Sequence, residues 1–400
     1  MKEIIYARMF FLFWLVVLSS ACEQIIPLAP AENELLDGPI EGLTPAEQAQ
    51  FLAGDIAFND EVFTVGTGLG PLFVATSCGS CHIGDGKGHP FTTLTRFGQT
   101  LPNVSPDISI GGPQLQHRAI PGYEPEKVPE GLPFMEFTPP AVTGLGLLSA
   151  LTDEQILEQA DPDDKDEDGI SGVPNYIIPP EYFVPKGFHQ EIDGKYIGRF
   201  GKKAAAIDLL QQTVGAYNQD MGITSTFEPL DVASGLITDP EVSDQTIKDV
   251  VIYLRTLKAP IPRNPNDPQI IKGKTLFSAI QCGACHTPEW TTPESDIAAL
   301  SHKTFFPYTD LLLHDMGSQL DDGVTEGSAE TYEWKTPALW GLGLSPNSQG
   351  GTFFLMHDGR AKSIEEAILL HGGEAAESRN KYQTLSSDEQ EALIRFLESL

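Results

Sequence analysis

Leu72 to His82 reads L-F-V-A-T-S-C-G-S-C-H, and Leu276 to His286 reads L-F-S-A-I-Q-C-G-A-C-H, so two matched frames each end in C-x-x-C-H. Two residues between the cysteines let Cys78 and Cys81, or Cys282 and Cys285, reach the vinyl groups of one c-type haem. The histidine that follows, His82 or His286, can then swing under the iron as its proximal ligand. A zinc site would want four compact ligands, which the four thiols could supply, but it leaves two histidines in register without a role. A disulfide reading ignores the same histidines. Two copies in matched frames therefore predict two covalent haems.

A different chemistry stands between the motifs. Asp164, Asp166 and Asp168 occupy positions 1, 3 and 5 of a candidate calcium loop. Gly169 provides the turn at 6, Ile170 offers a carbonyl at 7, and Asn175 stands at 12 where an EF-hand has a bidentate glutamate. Carboxylates crowded in this way repel one another unless a cation neutralises them, which predicts bound calcium.

The elements that must position these groups are legible in part. Thr44-Pro45-Ala46-Glu47 has the residues of a helix start, and the segment runs through Phe51, Phe58 and Phe63 toward the first motif. After His82 come Gly84, Gly86, Gly88 and Pro90, and glycine and proline stay frequent to Pro140, which predicts irregular structure wrapping a haem. Helical patterns follow at 152–159, 202–217, 243–257, 363–370 and 387–400. Pro260, Pro262, Pro265 and Pro268 read as a stiff linker.

A second repeat supports duplication. Glu136 to Leu147, E-F-T-P-P-A-V-T-G-L-G-L, matches Glu333 to Leu344, E-W-K-T-P-A-L-W-G-L-G-L. The two begin 54 residues after His82 and 47 after His286. The expected fold is mainly α, with two cytochrome c-like haem lobes, long irregular loops and few strands. The expected divisions are a signal peptide at 1–22, a tether at 23–44, a first lobe at 45–262 with the calcium loop and a helical insertion, and a second lobe at 263–400.

Lys2 and Arg8 precede an apolar run from Met9 to Leu18, too short for a bilayer that needs roughly 20 residues, and Ser19-Ser20-Ala21-Cys22 follows. This reads as an export signal with Cys22 as a lipidation site. The chain is thus expected on the periplasmic side or in the cell envelope, touching the membrane through a lipid anchor only. The formal net charge of −31 disfavours nucleic acid and anionic lipid; it would attract a basic electron donor, and it equally serves solubility. Of five cysteines, one is assigned to lipid and four to haem, leaving none for a disulfide or a redox nucleophile.

Gly198-Arg199-Phe200-Gly201, Asp220-Met221-Gly222-Ile223-Thr224, Pro307 to Gly317, His357-Asp358-Gly359-Arg360-Ala361 and His371-Gly372-Gly373-Glu374-Ala375 resemble the di-haem oxidoreductase, or peroxidase, family, also labelled thiol oxidoreductase. The likeness runs from about Phe51 to Leu400. The family is similar to bacterial di-haem cytochrome c peroxidases and to the di-haem enzyme that matures methylamine dehydrogenase. In those relatives one haem meets peroxide, a six-coordinate haem relays electrons, and calcium lies between them. The resemblance implies Glu136 as the acid or base over the peroxidatic iron, with a helix cap or arginine partner as its structural alternative. It implies Tyr332 or Met316 as a distal ligand in the second lobe. His314, His357 and His371 are open between ligand and structural roles, and Arg199 and Arg360 between propionate and core-charge roles. Lys202 departs from the tryptophan expected after Phe200-Gly201, so Trp334 or Trp340 would have to substitute, or the electron path differs.

Two functional classes follow. The first is an enzyme that reduces hydrogen peroxide, or oxidises another substrate with it, fed by a small c-type cytochrome or other electron donor. The second is a non-enzymatic di-haem electron-transfer protein with both irons six-coordinate. The chain spends well over a hundred residues between its motifs, more than haem wrapping needs, and this favours the enzyme.

Overall fold

Thr44 begins the helix that leads to the first C-x-x-C-H motif: its hydroxyl accepts the Glu47 N–H at 3.3 Å while the Glu47 carboxylate accepts the Thr44 N–H at 2.7 Å, and Pro45 occupies the first helical position. The helix Pro45–Asp55 continues into a π-turn, Ile56–Asp60, which carries Phe58 to within 5.7 Å, ring to ring, of His82. It crosses the helix Asp244–Thr256 at Gly54, where a Cβ would land on the Asp249 carbonyl. Only glycine permits that approach. Phe51, Phe58 and Tyr253 fill the crossing, and burying each ring contributes about 1.5–3 kcal/mol.

The same device recurs around the second motif. Asp267 caps the helix Pro268–Ala279, which crosses the helix Ser387–Ser399 at Gly273, where a Cβ would land on the Ala392 carbonyl. Phe277, Tyr308 and Phe396 pack there edge to face. Pro268, read from sequence as linker, is instead the first residue of this helix, because a proline at that position forfeits no intrahelical bond.

The Gly-Leu-Gly-Leu repeat is a structural repeat as well. Gly144 (φ 71°, ψ 3°) and Gly341 (φ 71°, ψ 6°) adopt the same left-handed conformation before the helix Leu145–Ser149 and the short turn Leu342–Leu344. Gly146 lies against the Arg255 carbonyl and Gly343 against the Glu398 carbonyl, so each turn seats on the closing helix of its own pair.

The computed structural model describes residues 31–104 and 112–400; the expected signal segment and Cys22 lie outside the described residues. Residues Leu36–Leu400 form one compact unit, and the described part of the preceding unit, Met1–Leu35, holds the short turn Glu32–Glu34. The fold is mainly helical. Among the described residues the strands form five two-stranded antiparallel ladders, including Leu94–Phe97 with Phe134–Phe137 and Leu313–Asp315 with Glu333–Lys335. No described helix is long and apolar enough to cross a membrane.

The helix expected over 202–217 begins later, as Leu209–Met221, with the Asp208 carboxylate accepting the Gln211 N–H. Residues 200–206 form a tight turn closed by a Phe200–Ala206 bridge, with Ala204 at φ 53°. Helix propensity in Lys-Lys-Ala-Ala-Ala yields here to the burial of Lys203.

Candidate functional site

Each C-x-x-C-H segment winds into one helical turn, Cys78–Ser80 or Cys282–Ala284, with the amide of His82 bonded to the Cys78 carbonyl and that of His286 to the Cys282 carbonyl, both at 3.0 Å. The winding brings both thiols and the imidazole of each motif to one place. His82 Nδ1 lies 2.9 Å from the Pro140 carbonyl, and His286 Nδ1 lies 2.9 Å from the Tyr308 carbonyl. A carbonyl can only accept, so both rings carry their proton on Nδ1 and leave Nε2 bare. Burial pulls both histidines down to about 4, which keeps them neutral. These are the tautomer and charge that an iron ligand requires. Burial also pushes Cys78 and Cys282 up to about 12 and Cys81 to about 11, and raises Cys285, so the four sulfurs are neutral S–H groups. The donor set fits two c-type haems.

The first site is braced from behind. Asp85, at φ 58°, accepts the Tyr253 hydroxyl at 2.5 Å, and its carbonyl accepts the Val142 N–H, which locks the turn after His82 onto the closing helix. Burial raises the Asp85 carboxyl to about 6.

The fold also gathers buried groups that motif spacing did not reveal. His357 stacks on Trp334 at 3.7 Å and 10°. Lys203 stands over the same indole at 4.2 Å and donates to the carbonyls of Glu330, Thr331 and Glu333 at 3.1, 2.8 and 2.8 Å. The His357 carbonyl accepts the Thr138 N–H at 2.8 Å, two residues from the carbonyl that orients His82. Lys87 and Lys335 are each pulled down to about 8 by burial. Lys202 falls well below the ordinary lysine value through burial and then through the charges of those two. The sequence signal for such buried cations was a Lys-Lys pair inside an apolar stretch, Phe200 to Ile207.

Other expected residues fall in defined places. Glu136 is exposed on its strand opposite Thr95, and among the described residues no side chain or amide holds its carboxylate. Its repeat counterpart Glu333 is occupied, accepting the Glu330 N–H at 2.8 Å. Met316 and Tyr332 are brought together, amide to carbonyl at 3.1 Å, with Met316 packed against the Met135, Leu320, Val324 and Trp334 cluster. Trp340 is buried against Phe305.

The charged candidates are mostly committed to partners. Arg199 is buried in an ion pair with Asp153, whereas Arg360 bonds Asp358 at 2.6 Å. His314 is gripped at Nε2 by Asp310 (2.8 Å) and at Nδ1 by Glu374 (2.7 Å), with Cys285 Sγ 3.5 Å away. Although burial opposes it, these partners hold His314 well above the ordinary imidazole value. The carboxylates of Asp164, Asp166 and Asp168 lie within 4.8 Å of one another. Ile170 is in the same loop, its N–H bonded to Asp168 at 2.9 Å. Asn175 is not with them: it is buried, donating to the Lys203 and Glu326 carbonyls and accepting from Ser328.

The comparison that decides the family is a family model described as "Di-haem oxidoreductase, putative peroxidase", which matches residues 137–400. The chain belongs to this di-haem oxidoreductase family. No curated protein matches it. Among solved structures it is similar to a MauG-like protein associated with microbial copper homeostasis (15% identity, TM-score 0.43, covering 94% of each chain). It is also similar to the Kuenenia stuttgartiensis hydrazine synthase (13% identity, TM-score 0.38, 94% of this chain and 98% of that one). Likeness this distant adds nothing to the assignment. In this di-haem oxidoreductase the matched region contains the second motif, the acidic loop and the lysines at 202, 203 and 335, while the first motif precedes it.

Proposed function

We propose that this di-haem oxidoreductase is an exported c-type peroxidase that reduces hydrogen peroxide, or uses it to oxidise a substrate, with electrons from a small c-type cytochrome or similar donor. The observation that carries the reading is the pair of C-x-x-C-H turns set in matched helix crossings, each histidine oriented by a main-chain carbonyl. Haem bound at these motifs would supply single-electron redox chemistry. The chain's own residues do the rest. Cys78, Cys81, Cys282 and Cys285 would hold the two porphyrins, and His82 and His286 would orient beneath the irons. Glu136, with an unengaged carboxylate, takes a proton from one peroxide oxygen and returns it to the other as the bond breaks. Burial disfavours charge on Lys87, Lys202 and Lys335, and a haem propionate placed beside them would restore it. Asp164, Asp166, Asp168 and the Ile170 carbonyl would hold calcium.

The reaction consumes two electrons and two protons per peroxide and yields two waters. The test is peroxide consumption by the purified holoprotein with a reduced small cytochrome, together with absorption and EPR spectra as isolated and after one-electron reduction with calcium present. Turnover at two donor oxidations per peroxide, with one haem high-spin or becoming so, supports the enzyme. Two haems that stay low-spin and six-coordinate, with no turnover, would make the protein an electron carrier.

A further inference from the structure

We propose that His314 is a permanent imidazolium that tunes the redox potential of the haem held by Cys282 and Cys285, offsetting the two carboxylates that grip it; this rests on the reading that the second motif carries haem.

The charge of the ring follows from its hydrogen bonds. His314 Nε2 lies 2.8 Å from one Asp310 oxygen, and its Nδ1 lies 2.7 Å from one Glu374 oxygen. Both carboxylates also accept from other donors. Asp310 takes the Leu312 N–H at 2.9 Å, and Glu374 takes the Ser171 hydroxyl at 2.5 Å and the Asp315 N–H at 3.4 Å. A proton shared between a carboxylate and an imidazole belongs to the imidazole, the stronger base by about two pKa units. The ring therefore donates from both nitrogens and carries a full positive charge.

Among the described residues no other histidine meets two carboxylates. His82, His286 and His371 each give the Nδ1 proton to a main-chain carbonyl, His89 and His189 accept main-chain N–H groups, and His302 meets one carboxylate on the surface.

The position of His314 gives this charge a target. Cys285 Sγ, the atom that would join the porphyrin, lies 3.5 Å from the same Nδ1. The ring has no room to swing away: a Cβ on Gly172 (φ 55°) would stand 3.1 Å from its Cε1, and the strand Leu313–Asp315 that carries it is paired with Glu333–Lys335. Asp310 and Tyr308 belong to one turn, in which Tyr308 (φ 56°) and Leu311 (φ 67°) both hold left-handed backbone that bulky residues adopt only where the surroundings impose it. That turn orients His286 through the Tyr308 carbonyl and anchors His314 through Asp310.

Reducing a haem adds one negative charge to the site. A buried cation beside the thioether sulfur favours that state, and little water is present to screen it. The network of two carboxylates and one imidazolium carries one net negative charge, so removing the ring's charge doubles the negative field while removing one carboxylate cancels it.

The test uses the holoprotein, with haem content counted by pyridine haemochrome and midpoint potentials read by spectroelectrochemical titration. Wild type is expected to hold two haems and to titrate in two one-electron steps. His314→Gln is expected to lower the midpoint of one step, Glu374→Gln to raise the midpoint of that same step, and the other step to stay in place in both variants. Opposite displacements from two neighbouring substitutions are a signature of charge, which a purely structural role would not give. Should His314→Gln lose haem, Glu374→Gln decides alone: a raised midpoint upholds the proposal, and an unchanged or lowered one overturns it. Two intact haems whose midpoints move in the same direction in both variants, or in neither, would overturn the proposal while leaving the two-haem reading in place. Fewer than two haems in wild type would overturn that reading and the proposal with it.

Discussion

At the scale of single residues, the two glutamates of the repeat differ in what holds them. Glu333 spends its carboxylate on the Glu330 amide, while Glu136 is left without a partner among the described residues. Positioned proton transfer contributes roughly 10²- to 10⁴-fold, so Glu136→Gln should lower peroxide turnover by about that factor while the spectra of both haems stay the same. Steady-state kinetics beside absorption spectra checks this, and undiminished turnover would remove Glu136 from the chemistry. Asp322 carries a separate prediction. Burial raises its carboxyl to about 6 despite nearby Lys203, and one of its buried oxygens has no partner. Between the unfolded value near 4 and the folded value near 6, the folded chain holds a proton that the unfolded chain has lost, so this group's contribution falls as pH rises through that window. After allowance for solvent screening, Asp322→Asn should match wild type near pH 4 and exceed it by about 1–2 kcal/mol at pH 7. Melting temperatures across that range would show the divergence, and parallel curves would contradict it.

At the scale of elements, the molecule repeats one crossing twice, and glycine makes both possible. Gly54→Ala and Gly273→Ala each place a methyl where a main-chain carbonyl already stands, so each helix pair must separate, at about 1–3 kcal/mol. Thermal melts should register both losses, and Gly273→Ala should disturb the second haem more than the first; an unchanged melt would mean that the crossing tolerates a shift. These crossings explain what was legible in the sequence. The haem turns are local patterns, fixed by covalent chemistry within five residues, and the closing helix Ser387–Ser399 follows its own periodicity and capping box. The start of Pro268–Ala279 was hidden by prolines that resemble a linker, although Asp267-Pro268 is a cap followed by a first-turn proline. The turn at 200–206 was hidden for another reason. Lys203 is drawn under Trp334 by three carbonyls more than a hundred residues away, and no local window contains that information. The same holds for Asn175, which stands at a ligand position in the loop pattern and is claimed by Lys203, Glu326 and Ser328.

At the scale of the whole molecule, a chain of net charge −31 gathers three carboxylates within 4.8 Å, and that repulsion is unfavourable until a cation relieves it. The loop is mechanically continuous with the second motif. Ser171 donates to Glu374 at 2.5 Å, Glu374 grips His314, and His314 lies beside Cys285. Val173 and Leu313 bridge the same segments through paired main-chain bonds of 2.9 and 2.7 Å. A cation that orders the loop should therefore be felt at the second haem rather than the first. Removing it with EGTA should lower the melting temperature by several degrees, since a ligand present at 100 times its dissociation constant contributes about 2.7 kcal/mol. The same treatment should perturb the spectrum of the second haem. Calcium should reverse both effects and magnesium should not, because a loop of carboxylates and one carbonyl lacks the rigid octahedral frame that magnesium demands. Asp166→Ala should resemble the chelated protein and ignore added calcium. A wild-type protein that contains no calcium and melts identically with and without EGTA would reduce the loop to a solvated acidic turn and leave Ser171, Glu374 and His314 as a structural brace.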